Sequence, residues 1–282
     1  MPTLPDHSII VDDVKSCIEE DIKTGDLTAN LIPEKSTIEG KIIAREAGII
    51  CGIAWANEAF RQINASIEVE WKVNDGDEVQ DQTTICRISG NARSILTTER
   101  QALNLLQTLS GTATTARRYV EEIKDTKAKL LDTRKTIPGL RDAQKYAVVC
   151  GGGMNHRMGL YDGILIKENH LRCGESLEEV VKTAINSVPE GTLVELEVER
   201  IEQMQAGIEA GIKRVLLDNF TLDELREAVN INDDRIDLEA SGNVSIDTIK
   251  DIAETGVDFI SSGAITKHVR ALDLSLLFDL SV

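Results

Sequence analysis

The stretch LVELEVERIEQMQAGIEAGIKRVLLDN, residues 193–219, decides the fold. It opens with a strict alternation. Val194, Leu196 and Val198 fall on one face and Glu195, Glu197 and Glu199 on the other, which is the period of a strand. From Ile201 to Ala210 the apolar spacing becomes helical, and Arg214-Val215-Leu216-Leu217 is a second short strand. Strand, helix and strand in this order make a parallel pair with a crossover. The same alternation extends outward. Upstream lie strands Lys129-Leu130-Leu131 and Gly163 to Ile166 and a helical segment from Glu178 to Asn186. Downstream come Ile236-Asp237-Leu238 and Val257 to Ile260, with helical segments Leu222 to Val229 and Ile246 to Glu254. Six such strands in about 140 residues suit a small or incomplete β/α barrel.

The amino-terminal part reads differently, as an α+β layer. Asp6 to Glu20 is a predicted helix, Gly40 to Ala47 and Ile67 to Lys72 are predicted strands, and Ala54 to Ile63 is a second helix. Asn74-Asp75-Gly76-Asp77 is a turn that joins strand-like runs into a hairpin. The hairpin faintly resembles a biotinyl or lipoyl domain, but no lysine stands at its turn, so a carrier role is set aside. A long helical stretch follows from Arg93 to Lys124, with Ser110-Gly111 as its expected break.

The chain has 282 residues and a formal net charge of −17, with 41% hydrophobic and 3% aromatic residues. So acidic a surface argues against a broad nucleic-acid or anionic-membrane face, and few aromatics argue against base stacking. Five isolated cysteines without a CxxC pair suggest neither a disulfide framework nor zinc, and fit a reducing cytoplasm. No signal peptide and no transmembrane helix is expected, since no basic segment precedes an apolar run and none reaches about 18 residues.

In a β/α barrel the carboxyl ends of the strands form the active rim. Here those ends carry Asp132-Thr133-Arg134-Lys135-Thr136, Lys167-Glu168-Asn169-His170, Asp218-Asn219, Glu239-Ala240-Ser241-Gly242-Asn243 and Ser261-Ser262-Gly263-Ala264. A single charge after a strand is as often a solvated loop residue as a functional one. The glutamates of the third strand are harder to dismiss. If its apolar face meets the helices, they point into the barrel and need cations or a metal. They either close a salt-bridge network with Lys129, Lys135 and Lys167 or combine structural with catalytic duty. The two Ser-Gly turns precede helical segments, where free amides and the helix dipole favour phosphate. Gly151-Gly152-Gly153-Met154-Asn155-His156-Arg157 is neither a P-loop nor a dinucleotide fingerprint. It supplies a closely approached backbone and two side-chain donors, although a packed loop histidine reads His156 equally well.

At these residues the chain resembles the quinolinate phosphoribosyltransferase family. The run from Leu131 to Arg141 looks like its DTRKT-x-PG-x-R signature. Lys145 to Val148, Gly151 to Arg157, Leu165 to His170, Glu195 to Glu199, Leu217 to Phe220 and Gly263 to Arg270 continue the family's blocks in order. Thr98-Glu99-Arg100, Leu103-Asn104 and Leu109-Ser110-Gly111 agree too.

The resemblance implies an α/β fold with an amino-terminal α/β sandwich, residues 1–105, and an open β/α barrel, residues 106–269, with 270–282 packing back on the sandwich. It implies decarboxylating phosphoribosyl transfer to quinolinate in a homodimer whose active site is shared, so that Arg100 reaches the partner's barrel. Thr133, Arg134, Lys135, His156, Arg157 and Lys167 are implied at quinolinate. Lys135, Glu197 and Asp218 are implied as catalytic groups at the ribose and diphosphate. Ser241, Gly242, Asn243, Ser262, Gly263 and Ala264 are implied as the cradle of the 5-phosphate. Lys267, where some members carry histidine, is implied at the diphosphate. Glu197 and Asp218 are implied to hold Mg2+, directly or through water or substrate. Three other readings stay open at this point: a same-fold paralogue with another heteroaromatic acceptor, a barrel lyase with a Schiff base on Lys167 or Lys135, and a non-enzymatic anion-binding protein.

Overall fold

The computed structural model describes residues 2–174 and 176–278. Its opening run is α1 (His7–Ile22), β1 (Thr37–Ala44), β2 (Gly48–Ile49), α2 (Ile53–Ile63), β3 (Glu68–Trp71), β4 (Glu78–Val79) and β5 (Thr84–Asn91). Then come α3 (Ala92–Ile123), β6 (Lys129–Leu131), α4 (Arg141–Cys150), β7 (Gly163–Ile166), α5 (Glu168–Cys173) and α6 (Leu177–Asn186). The last third holds β8 (Leu193–Val198), α7 (Ile201–Glu209), β9 (Arg214–Asp218), α8 (Leu222–Asn232) and β10 (Asp237–Ser241). It ends with α9 (Ile249–Ala253), β11 (Phe259–Ser261), α10 (Ala264–Lys267) and β12 (Leu274–Phe278).

The chain divides into two compact units. The first takes the residues up to Arg117, Ile137–Gly152 and the described residues from His268 onward. Its antiparallel sheet has the order β12-β1-β5-β3, so the final described strand pairs with the first. The expected return of residues 279–282 lies outside the described residues. Trp55 and Phe60 of α2 fill the core, and the Trp55 ring lies 5.7 Å from that of Tyr146 in α4.

Two local expectations are corrected in this unit. The turn at 74–77 forms, but it closes no hairpin. β3 pairs with β5, and β4 pairs with β2. The reason is Asp75, whose Oδ1 accepts from Gly52 N at 2.9 Å and Ile53 N at 3.1 Å, while its Oδ2 accepts from the Tyr146 hydroxyl. The turn therefore caps the start of α2. Nor does Ser110-Gly111 break the long helix, which runs unbroken through 32 residues. Ser110 is buried, and its hydroxyl accepts from Cys51 N and donates to Cys51 O. A Cβ on Gly111 would stand 2.2 Å from the Arg270 carbonyl oxygen. Small residues here serve close packing.

The second unit, Arg118–Thr136 and Gly153–Lys267, holds one parallel sheet of order β6-β11-β10-β9-β8-β7. Numbered along the chain, these are staves one, six, five, four, three and two of a β/α barrel left open between the first and second. Helices α6, α7, α8 and α9 make the crossovers. Leu196 and Val198 are buried, and a Cβ on Gly207 of α7 would meet Leu196 Cδ2 at 2.6 Å. The apolar face of β8 thus meets the helices, and Glu195 on the other face is fully buried inside the barrel. The loop after α4 crosses the seam. Met154 bridges Leu131 of β6, and Arg157 Nη1 donates to the Gly163 carbonyl of β7 at 2.9 Å.

Candidate active site

The candidates of the second unit cluster at the carboxyl ends of its strands because each strand stops where the apolar pattern stops. Thr133, Arg134 and Lys135 follow β6, Lys167 follows β7, and Asp218 and Ser241 are the last residues of β9 and β10. A cavity of about 160 Å³ opens there. Its walls carry Thr133, Arg134, Lys135, His156, Arg157, Lys167 and Glu197, together with Leu165, Leu216, Glu239 and Ser261. Six strands and the seam loop therefore converge on one mouth. A broader groove of about 1050 Å³ lies between β7 and α6; it shares Arg157 but is not lined by Arg134, Lys135 or Lys167.

The charges are arranged in two depths. Near the opening, Lys167 Nζ is hydrogen-bonded to Glu197 Oε2. Burial, then the charge of Arg134, pulls the Arg157 guanidinium below its usual value. An anion placed between these two cations removes that penalty. Of the alternative reading, a salt-bridge network with Lys129, Lys135 and Lys167, the Lys167–Glu197 pair forms but Lys129 takes no part. Lys129 begins β6 at the opposite end and is exposed, and Glu199 is exposed beyond the strand.

Deeper in the barrel, His156 Nε2 lies 2.7 Å from Glu195 Oε2 and 3.6 Å from Glu239 Oε2. Both carboxyl groups are fully buried, and neither oxygen of Glu239 has a hydrogen-bond partner among the described residues. Burial pushes the Glu195 carboxyl up to about 7. Burial, reinforced by the charge of Glu195, pushes Glu239 up to about 8. Burial thus favours the protonated form of Glu239 in the folded state. Its folded value lies above the unfolded 4.5, so its contribution to stability is complete below 4.5 and is lost as pH rises through about 8. We expect Glu239→Gln to gain melting temperature over the native chain between about pH 5 and pH 9. Thermal melts that stay parallel across that range would show that Glu239 does not titrate with folding.

A second cluster joins the ends of β9, β10 and β11. Asp218 pairs in register with Ser241. Asn219 N donates to Ser241 O at 2.9 Å, its Nδ2 donates to Asp218, and its Oδ1 accepts from Asn243 Nδ2 at 3.1 Å. Gly242 has φ +99°, and a Cβ there would stand 2.3 Å from Asn219 Oδ1. That position requires glycine on both counts. Gly263 lies against Lys135 and Thr133, and Thr266 Oγ1 donates to the Lys135 carbonyl at 2.8 Å.

The helical segments behind the two Ser-Gly turns differ from expectation. α9 begins at Ile249, well past Gly242, and α10 spans only Ala264–Lys267. Ser262 is buried, with its hydroxyl donating to Val244 O and accepting from Ala264 N. Its side chain shapes the turn, and its own N–H donates to Leu131 O at 3.1 Å. Lys267 is exposed at the end of α10. Arg100 belongs to the first unit, is exposed, and pairs with Glu99.

Sequence reasoning gave no role to Asp132, Asn219 or Glu239. Asp132 is buried and receives His156 N at 3.0 Å and Asn155 Nδ2 at 2.5 Å, which pins the seam loop to β6. The available signal was period two along Glu239-Ala240-Ser241, which repeats that of Glu195-Leu196-Glu197. As a donor set, Glu197 and Asp218 offer only carboxylate oxygen at neighbouring strand ends, which suits Mg2+ completed by substrate oxygens.

A family model described as "Quinolinate phosphoribosyl transferase, C-terminal domain" matches residues 112–277, and its N-terminal companion matches residues 26–110. The "Probable nicotinate-nucleotide pyrophosphorylase (carboxylating)" of Bacillus subtilis is 39% identical over 262 residues, covering 93% of this chain and 91% of that protein. The solved nicotinate-nucleotide pyrophosphorylase of Francisella tularensis is 45% identical with a TM-score of 0.95, covering 99% of this chain and 98% of the other. The solved NadC of Streptococcus pyogenes is 34% identical with a TM-score of 0.93, covering 98% and 99%.

Proposed function

Because the chain belongs to the quinolinate phosphoribosyltransferase family, we propose that its barrel mouth performs that family's reaction. It transfers phosphoribose from phosphoribosyl pyrophosphate to quinolinate with loss of carbon dioxide, giving nicotinate mononucleotide and pyrophosphate for NAD biosynthesis. The observation that carries the site assignment is four cations, Arg134, Lys135, Arg157 and Lys167, around one small cavity in a chain of net charge −17.

Quinolinate brings two adjacent carboxylates. The guanidinium forks of Arg134 and Arg157 grip them with paired bonds, Lys167 adds a point charge, and Thr133 and His156 complete the wall. Arg100 of a second subunit closes the pocket in a homodimer. Lys135 and Lys267 face the diphosphate. Ser241, Gly242 and Asn243, with Ser262, Gly263 and Ala264, cradle the 5-phosphate. Glu197 and Asp218 face the ribose and hold Mg2+. When bound, Mg2+ supplies charge neutralisation for the departing diphosphate.

The quinolinate ring nitrogen forms a bond to the anomeric carbon as the bond to diphosphate oxygen breaks. Positive charge develops on the sugar, and Glu197 and Asp218 lie beside it as carboxylates that stabilise it. The alkylated ring nitrogen then draws in the electrons of the C2–carboxylate bond. Carbon dioxide leaves, and the ring carbon takes a proton from water. No protein nucleophile is needed, and the five thiols, none in a disulfide, stand aside. Among the described residues no helix is long and apolar enough to cross a membrane. We assign the enzyme to the cytoplasm on the strength of its isolated cysteines, which suit a reducing compartment.

The test offers quinolinate and nicotinate separately with phosphoribosyl pyrophosphate and follows pyrophosphate and carbon dioxide. Both products are expected from quinolinate, in equal amounts. Turnover of nicotinate alone would transfer the assignment to a paralogous acceptor.

A further inference from the structure

His156 lines the acceptor cavity, yet both of its ring nitrogens are already engaged by the protein. Nδ1 accepts the main-chain N–H of Arg157 at 2.7 Å, and Nε2 lies 2.7 Å from Glu195 Oε2. An Nδ1 that accepts a hydrogen bond carries no proton, so the ring's proton sits on Nε2 and is donated to Glu195. The ring in this state is neutral and turns both polar atoms away from a ligand. To bind a carboxylate, it has to give up one of the two bonds. Releasing Glu195 leaves a fully buried carboxyl group whose other oxygen already lacks a partner, which is costly. Releasing Arg157 frees the backbone at the residue that carries a substrate-facing guanidinium.

Arg157 is held at two points: its N–H is bound by the His156 ring, and its Nη1 donates to Gly163 O at 2.9 Å. The edge strand β7 and the buried Glu195 of β8 thus jointly determine where the guanidinium points. Beneath this, Asp132 receives the N–H of His156 at 3.0 Å and locks the loop from the other edge of the barrel.

We propose that His156 and Glu195 are positioning residues that aim Arg157 at the acceptor, and that His156 makes no bond of its own to the acceptor's carboxylates. This departs from the sequence expectation for His156 and rests on the reading of the cavity as the quinolinate site. A loop misplaced by an ångström costs binding and rate out of proportion to the single hydrogen bond broken.

Two measurements test it on the full-length protein. The chain has four histidines, so a nitrogen-15 spectrum of histidine-labelled protein, assigned with His156→Asn, resolves the ring of His156. It is expected to show the Nε2–H tautomer, unchanged when quinolinate is added. An Nδ1–H tautomer or an imidazolium, with or without quinolinate, overturns the proposal. In kinetics, Glu195→Met removes the acceptor at similar volume. It is expected to raise KM for quinolinate about tenfold, with kcat and the KM for phosphoribosyl pyrophosphate within about threefold. Glu195→Gln keeps an oxygen for Nε2–H and is expected to return quinolinate KM to within about threefold of the native value. Equal losses of kcat in both variants, with quinolinate KM unmoved, overturn the positioning role. If Glu195→Met does not fold, the Gln variant and the spectrum decide. A native protein that transfers nothing to quinolinate refutes the functional reading, whereas the ligand-free spectrum judges the His156 tautomer independently of it.

Discussion

Lys167→Ala is expected to cut kcat/KM for quinolinate by about 10³-fold while the protein still folds. Two losses add. The variant removes a cation from the wall where the acceptor's carboxylates bind, and loss of one preorganised electrostatic donor alone costs about 10²–10³-fold. It also strips Glu197 of its ion-pair partner. The carboxylate then faces an anionic substrate without compensation. Folding survives because the Lys167 side chain is 46% exposed at the mouth and its removal leaves no cavity in the core, although Glu197 is only 15% exposed. The same reasoning applies to Arg134→Ala at the end of β6. The check is steady-state pyrophosphate release beside a thermal melt. Turnover within about tenfold of native in a folded Lys167→Ala protein would remove Lys167 from the acceptor site.

Asp218→Asn is expected to raise the Mg2+ concentration for half-maximal rate by about tenfold and to lower the rate at saturation. The substitution is close to isosteric. Asp218 is half-buried and accepts one hydrogen bond, from Asn219 Nδ2 at 3.0 Å. An amide oxygen can accept the same bond, so the turn built from Asn219, Ser241 and Asn243 is kept. What disappears is negative charge, which a hard divalent cation needs and a neutral amide does not replace. A Mg2+ titration of initial rates on both proteins decides. Superimposable curves would mean that Asp218 neither holds the ion nor stabilises the sugar's positive charge.

Much of the site was legible because strand periodicity translates directly into geometry. Alternation along residues 193–198 places Glu195 and Glu197 on one face, and a parallel barrel sends each strand's carboxyl end to one rim. Lys167, Asp218, Arg134 and Lys135 follow from the same rule. Long-range partners were not legible. Nothing local tells that Glu195 meets His156, thirty-nine residues away, or that Lys129 begins its strand at the opposite end. Ser110-Gly111 and the turn at 74–77 carry ordinary breaker residues. Their roles came from a backbone packed on Gly111 and a helix terminus beside Asp75, which short-range propensity does not encode.

By itself the sequence determined the order of strands and helices, the parallel barrel and the charged rim, since apolar period and turn residues act within a few positions along the chain. Tertiary structure alone decided which charge answers which: Lys167 with Glu197, His156 between Glu195 and Arg157, Asn219 between Asp218 and Asn243. Those pairings depend on distances between chain segments far apart in sequence, and on burial that makes a single unpaired carboxylate costly enough to select one partner over another.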